Sequence, residues 1–170
     1  MLIGLFPMTA YSQFVEEQYT LGSGDEIKIT VFGQEDLTVE TRLSNIGIIR
    51  YPFLGDIELV GKTVNEVEQL IDIGLRGDYL INPSVSVTVV EYRPFFINGE
   101  VNKPGGYPYQ PGLTIDKAAA LAGGYTQRAD KNDGEFLVRR TVKGSEVNLE
   151  LNATSIVLPG DILTVKPTYF

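Results

Sequence analysis

The chain contains no cysteine, no histidine and no tryptophan. Without cysteine there is no disulfide framework, no thiolate nucleophile, no sulfur-bound zinc and no N-terminal cysteine to carry a lipid. Without histidine, Ser-His-Asp triads, Cys-His pairs and imidazole metal sites are excluded together. Any bond-making would have to rest on carboxylates, lysine or tyrosine, and no cofactor or metal is expected. Long apolar runs are also missing: Leu2–Ala10 is nine residues, whereas a bilayer-crossing helix needs about 20. Positive charge is scarce, with 14 Lys and Arg against 22 Asp and Glu for a net charge of -8. A nucleic-acid partner is thereby excluded, because a phosphate backbone calls for a cationic surface.

What is present is ordinary for a folded protein. The 170 residues are 43% hydrophobic and 21% charged, sufficient for one medium domain or two small ones burying roughly 70% of their unfolded surface. The charge divides unevenly. Residues 13–92 hold 14 acids and 5 bases, whereas residues 93–170 hold 8 acids and 9 bases, which points to two units with different surroundings. Ahead of them, the apolar run leads into Ala10-Tyr11-Ser12, with small residues where a signal peptidase reads. The expectation is a signal peptide over 1–12, against the plainer reading of a buried N-terminal strand.

The first unit, 13–92, opens through Gly24-Asp25 into Ile27, Ile29 and Val31 alternating with Lys28 and Thr30, the pattern of a half-buried strand. Leu37–Leu43 alternates again, and the turn Ser44-Asn45-Ile46-Gly47 predicts a hairpin with Ile48–Tyr51. Pro52–Gly55 and Ile57–Val60 are expected to continue that sheet. Thr63-Val64-Asn65-Glu66 is a capping box, and Val64, Val67, Leu70, Ile71 and Leu75 fall on one helical face before Gly77. Val85–Tyr92 then reads as a long strand.

The second unit, 93–170, begins with Phe95-Phe96-Ile97, a turn-rich stretch from Asn98 to Gly106, and a return strand at Tyr107-Pro108-Tyr109. Thr114 caps a short helix with Ile115, Ala118, Ala119 and Leu121 on its apolar side, ended by Gly123-Gly124. Phe136–Thr141 and Glu146–Glu150 flank Lys143-Gly144 as a hairpin, and Leu158–Val165 closes the sheet. The fold class is α+β: a small mixed sheet with one helix, followed by a β-grasp unit of two hairpins crossed by a helix.

Candidate sites are few. Asp25 and Asp161 each follow a glycine and precede a strand, so Gly24, Asp25, Gly47, Gly160 and Asp161 are expected as structural turns in which the carboxylate bonds nearby amides. Glu16-Glu17, Asp25-Glu26 and Glu35-Asp36 do not form a glycosidase pair by themselves. That chemistry needs two carboxyls converging at about 5–9.5 Å, and neighbours on a strand point to opposite faces. Gly99–Gly106 contains Lys103 but lacks the Gly-Lys-Ser/Thr ending of a phosphate loop; it reads as a projecting turn. Tyr92, Phe95, Phe96, Tyr107 and Tyr109 suit core packing better than sugar stacking. Lys103, Tyr107, Tyr109, Arg139 and Arg140, with Arg128 and Lys131 nearby, are the residues open to glycan or subunit contact.

These residues carry a resemblance. Through Leu21-Gly-Ser-Gly-Asp25, Asn45-Ile-Gly47, Pro52-Phe-Leu-Gly55, Gly61-Lys-Thr63 and Asn82-Pro-Ser-Val-Ser-Val-Thr88, residues 19–92 resemble the polysaccharide export domain of the Wza type. Residues 95–166 are similar to one SLBB domain, the soluble-ligand-binding β-grasp module, through Gly99–Tyr107, Leu121-Ala-Gly-Gly124 and Leu158-Pro-Gly-Asp161. The resemblance implies a non-enzymatic periplasmic protein that forms a homo-oligomeric ring conducting a capsular or exopolysaccharide strand. The partners it implies are an inner-membrane polysaccharide copolymerase or chain-length regulator, a separate outer-membrane export protein, and the polysaccharide. Family members that cross the outer membrane carry a lipid-bearing cysteine and a C-terminal amphipathic helix. Their absence here implies a short, wholly periplasmic member. The competing expectations are a monomeric or dimeric glycan-binding adaptor and a carboxylate-dependent glycan-cleaving enzyme.

Overall fold

The computed structural model describes residues 19–130, 136–142 and 144–168. The expected signal peptide, the Glu16-Glu17 pair, Lys131 and Lys143 lie outside them. The chain divides into two compact α+β units between Glu91 and Tyr92.

In the first unit, β1 (Glu26–Val31) runs between β2 (Gln34–Arg42) and β5 (Val85–Glu91) in an antiparallel sheet. Ile27, Ile29 and Val31 are buried on one face of the pleat, with Lys28 and Thr30 on the other. β3 (Ile48–Tyr51) and β4 (Gly55–Glu58) form a separate antiparallel hairpin. This corrects the hairpin expected between Leu37–Leu43 and Ile48–Tyr51, and the single continuous sheet. β2 turns back onto β1 through Phe32-Gly33, where Gly33 takes φ +73°, so Ser44–Gly47 connects two sheets. Alternation fixes which face of a strand is buried but not which strand lies beside it.

Helix α1 (Val64–Leu75) starts at the expected capping box: the Thr63 hydroxyl accepts from the Glu66 amide at 3.2 Å, and Glu66 accepts from the Thr63 amide at 2.7 Å. The Thr63 amide, joined by the Thr63 hydroxyl donating to the same carboxylate at 3.1 Å, holds the Glu66 carboxyl below the usual carboxylate range. Val67, Ile71 and Leu75 are fully buried and share one core with Ile27, Ile29, Tyr51 and Leu59. Each such side chain contributes about 1.5–3 kcal/mol of burial. Tyr51 keeps its polar tip satisfied inside that core by donating to the Leu37 carbonyl at 2.8 Å.

The second unit is a five-stranded sheet in the order β7-β6-β10-β8-β9. Its strands are β6 (Phe95–Gly99), β7 (Gly105–Tyr107), β8 (Phe136–Val142), β9 (Ser145–Leu151) and β10 (Ile162–Val165). β6 and β10 are parallel and every other pair is antiparallel, which makes the sheet mixed. Gly99 is required where β6 ends: with φ +81°, a Cβ there would lie 2.2 Å from the Val165 carbonyl oxygen.

Helix α2 (Ile115–Leu121) buries Ile115, Ala118 and Ala119, joined by Ala122 just beyond it. They pack with Phe95, Ile97, Val138 and Leu163. The expected apolar face needs one correction, since Leu121 is 47% exposed and Ala122 completes the i, i+3, i+4, i+7 stripe in its place. Among the described residues no helix is long and apolar enough to cross a membrane.

Candidate functional site

Asp25 and Asp161 are the two buried charged residues among those described, at 0% and 1% exposure. Their local geometry is the same. Asp25 Oδ2 accepts from the Gly22 amide at 2.7 Å, and Asp161 Oδ2 from the Leu158 amide at 2.8 Å. Gly24 and Gly160 enter these turns at φ +95° and +84°, a region that Cβ-bearing residues rarely occupy. The distant partner differs. Asp25 accepts from the Tyr19 hydroxyl at 2.6 Å, whereas Asp161 receives Arg140 through both oxygens, at 2.9 and 2.7 Å. Gly47 makes a third turn, with φ +72° and a carbonyl accepting from Leu59 at 2.8 Å.

Both aspartates are thereby committed to structure, and so is Arg140, which also donates to the Ile156 carbonyl at 3.0 Å. With its side chain 17% exposed and its guanidinium engaged by Asp161, Arg140 has little left for a glycan or subunit contact. Tyr109 takes the core position favoured for it over sugar stacking. It is 8% exposed and packs edge-on to Tyr92 at 5.3 Å, and burial pushes its hydroxyl up to about 12. Tyr107 is half-buried, stacks on Phe95 at 6.0 Å and donates to the Lys103 carbonyl at 2.6 Å.

The turn carrying Lys103 is not a free projection. Its amide donates to Ala122 and that of Asn102 to Gly124, at 2.8 and 3.0 Å, while the Asn102 side chain donates to Gly123 at 2.8 Å. The turn therefore supplies donors to carbonyls at the end of α2, which the helix cannot satisfy itself. Lys103 and Arg139 keep exposed side chains.

One pair of carboxylates among the described residues does converge, and it does so on an arginine. Glu26 and Glu91 stand opposite each other on β1 and β5, and Arg42 from β2 bridges both at 2.6 Å. An exposed network of this kind ties three strands together at modest net gain. Glu35 and Asp36 are neighbours on β2. Among the described residues no cluster of His, Cys, Asp or Glu could hold a metal ion.

One surface feature escaped the sequence reading. Phe53, at the tip of the β3–β4 hairpin, is the one non-glycine residue with positive φ among those described, at +65°. Its ring lies 4.7 Å from that of Tyr79, with 26° between the planes, and the two remain 62% and 48% exposed. They line a cleft of about 300 Å³ with Gln34, Asp36 and Asp78. The available signal was Pro52-Phe53 itself. Proline presets the first central turn position, and glycine or asparagine normally fills the next when φ is positive. A bulky ring there costs about 1–2 kcal/mol.

Comparison with known proteins completes the description. Residues 14–90 match the family described as polysaccharide biosynthesis/export protein, and residues 94–146 match the SLBB domain. The exopolysaccharide production protein ExoF of Rhizobium meliloti (strain 1021) is 33% identical over 141 residues, covering 76% of this chain and 33% of ExoF. The EPS I polysaccharide export outer membrane protein EpsA of Ralstonia nicotianae (strain ATCC BAA-1114 / GMI1000) is 27% identical over 161 residues, covering 79% of this chain and 41% of EpsA. Its namesake from Ralstonia solanacearum is 27% identical over 184 residues, covering 88% and 48%. The chain spans less than half the length of these curated relatives. Carrying an export domain followed by an SLBB domain, it belongs to the polysaccharide biosynthesis/export protein family.

Proposed function

We propose that this chain is a non-enzymatic part of an exopolysaccharide export conduit, acting in the periplasm on the way to the outer membrane. The observation that carries this reading is the ordered pair of domains. It is supported by carboxylates engaged with backbone amides or, where Glu26 and Glu91 converge, with Arg42. On this reading the export domain occupies 13–92 and the SLBB domain 93–170.

Copies of the chain associate head to tail into a closed ring, which places a different patch of each subunit against the next. The acidic first unit faces the second unit of its neighbour, where Lys103 and Arg139 stay exposed. Charge of this kind sets register and partner choice more than affinity. The polymer crosses a polar lumen, handed on from an inner-membrane copolymerase toward an outer-membrane export protein.

Two measurements on the full chain test this. Sedimentation should find a closed oligomer that Lys103→Glu with Arg139→Glu dissociates, and deletion of the gene should stop secretion of the polymer. A monomer at high concentration together with undiminished secretion overturns the proposal.

A further inference from the structure

From the Phe53–Tyr79 cleft we infer a contact site for a neutral hexopyranose unit of the polymer, an inference that rests on the export reading for the identity of its ligand. Three observations meet there. First, the two rings are stacked, yet each leaves about half of itself or more in solvent. They present a continuous apolar surface at a place where burial does not account for them. The C–H face of a pyranose fits such a surface, as apolar groups pack on aromatic faces generally. Second, Phe53 keeps its ring in a left-handed turn position, where glycine or asparagine would relieve the backbone. Retained strain at an exposed side chain directs attention to what that side chain touches.

Third, the rim is rich in acceptors. Asp36, Asp78 and Gln34 line the same cleft and are exposed, and neither aspartate has an ion-pair partner among the described residues. Sugar hydroxyls donate to carboxylates in charge-assisted bonds. A uronate would meet like charge at the same rim. The site therefore selects neutral sugar over acidic sugar. It is open and small, at the low end of ligand-site volumes, so affinity is weak, with a dissociation constant of about 1 mM. A polymer in transit can leave a contact of that strength.

The test is an amide NMR titration of the full chain with a neutral gluco-oligosaccharide and with an oligogalacturonate of equal length. Shifts should centre on Phe53, Tyr79 and Asp36, with the acidic probe at least about tenfold weaker. Phe53→Gly, which suits the positive φ and so keeps the turn, and Tyr79→Ala should each weaken the neutral titration about fivefold. Asp36→Asn with Asp78→Asn should narrow the difference between the probes. The site is overturned if shifts fall elsewhere, if the two probes bind equally, or if the variants change self-association while leaving the sugar titration intact.

Failure of this site and failure of the export reading separate in the cell. If deletion stops secretion and the Phe53→Gly, Tyr79→Ala chain restores it fully, the site is wrong and the export reading stands. If deletion leaves secretion intact, the export reading falls, and the titration alone decides whether the cleft takes sugar.

Discussion

Each unit is pinned by a Gly-Asp turn whose carboxylate is buried, but the first closes it with a neutral hydroxyl and the second with a guanidinium. The shared half is local chemistry: the aspartate accepts from the amide three residues back in both turns. The half that differs is tertiary. Tyr19 is six residues from Asp25, whereas Arg140 reaches Asp161 from β8, 21 residues away. A neutral donor released from its acceptor can turn to water, while a buried cation cannot be abandoned at the same cost.

The comparison breaks most decisively at Asp161. Asp161→Ala leaves Arg140, with a side chain only 17% exposed, facing no counter-charge, and should destabilise the second unit by about 3–5 kcal/mol. Asp25→Ala should cost the first unit about 1–3 kcal/mol, mainly through the buried Gly22 amide left without an acceptor. Hydrogen exchange at core amides of each unit reads the two losses separately. Equal losses, or a larger one at Asp25, would show that the charge of the distant partner does not matter.

A smaller effect sharpens the same contrast from the local side. Thr63→Ala removes the hydroxyl half of the α1 capping box, and should cost the first unit about 1 kcal/mol in the same experiment, leaving the second unit unmoved. The capping box needed nothing beyond four consecutive residues, which is why it could be read in advance.

That distinction explains what the sequence made legible. The strand alternation at Ile27–Val31, the capping box, and the helical faces of α1 and most of α2 are local patterns, and they stand as expected. The pairing of β2 was misjudged because Ser44–Gly47 and Phe32-Gly33 are both good turns, and only the packed sheet chooses between them. The partner of Arg140 on β8 was illegible for the same reason: whether a side chain on a strand meets solvent or a buried group depends on residues far along the chain. Phe53 left a readable trace in the Pro-Phe turn, but its partner Tyr79 lies beyond α1 and left none.

The smallest expected difference concerns alkali. Burial raises the Tyr109 hydroxyl in the second unit to about 12, with the neighbouring Tyr92 adding to it, and raises Tyr125 in the same direction. A tyrosine with a folded value above its unfolded value near 10 is better protonated in the folded chain. Its contribution to stability is complete below pH 10 and is lost as pH climbs from there through about 12. The second unit should therefore begin to lose exchange protection above pH 10. Tyr109→Phe removes one of the titrating hydroxyls, so it should flatten that decline. If the decline keeps its slope in Tyr109→Phe, the hydroxyl is not what ties this unit to pH, and the loss must be assigned to Tyr125, whose hydroxyl donates to Asp116 at 2.7 Å.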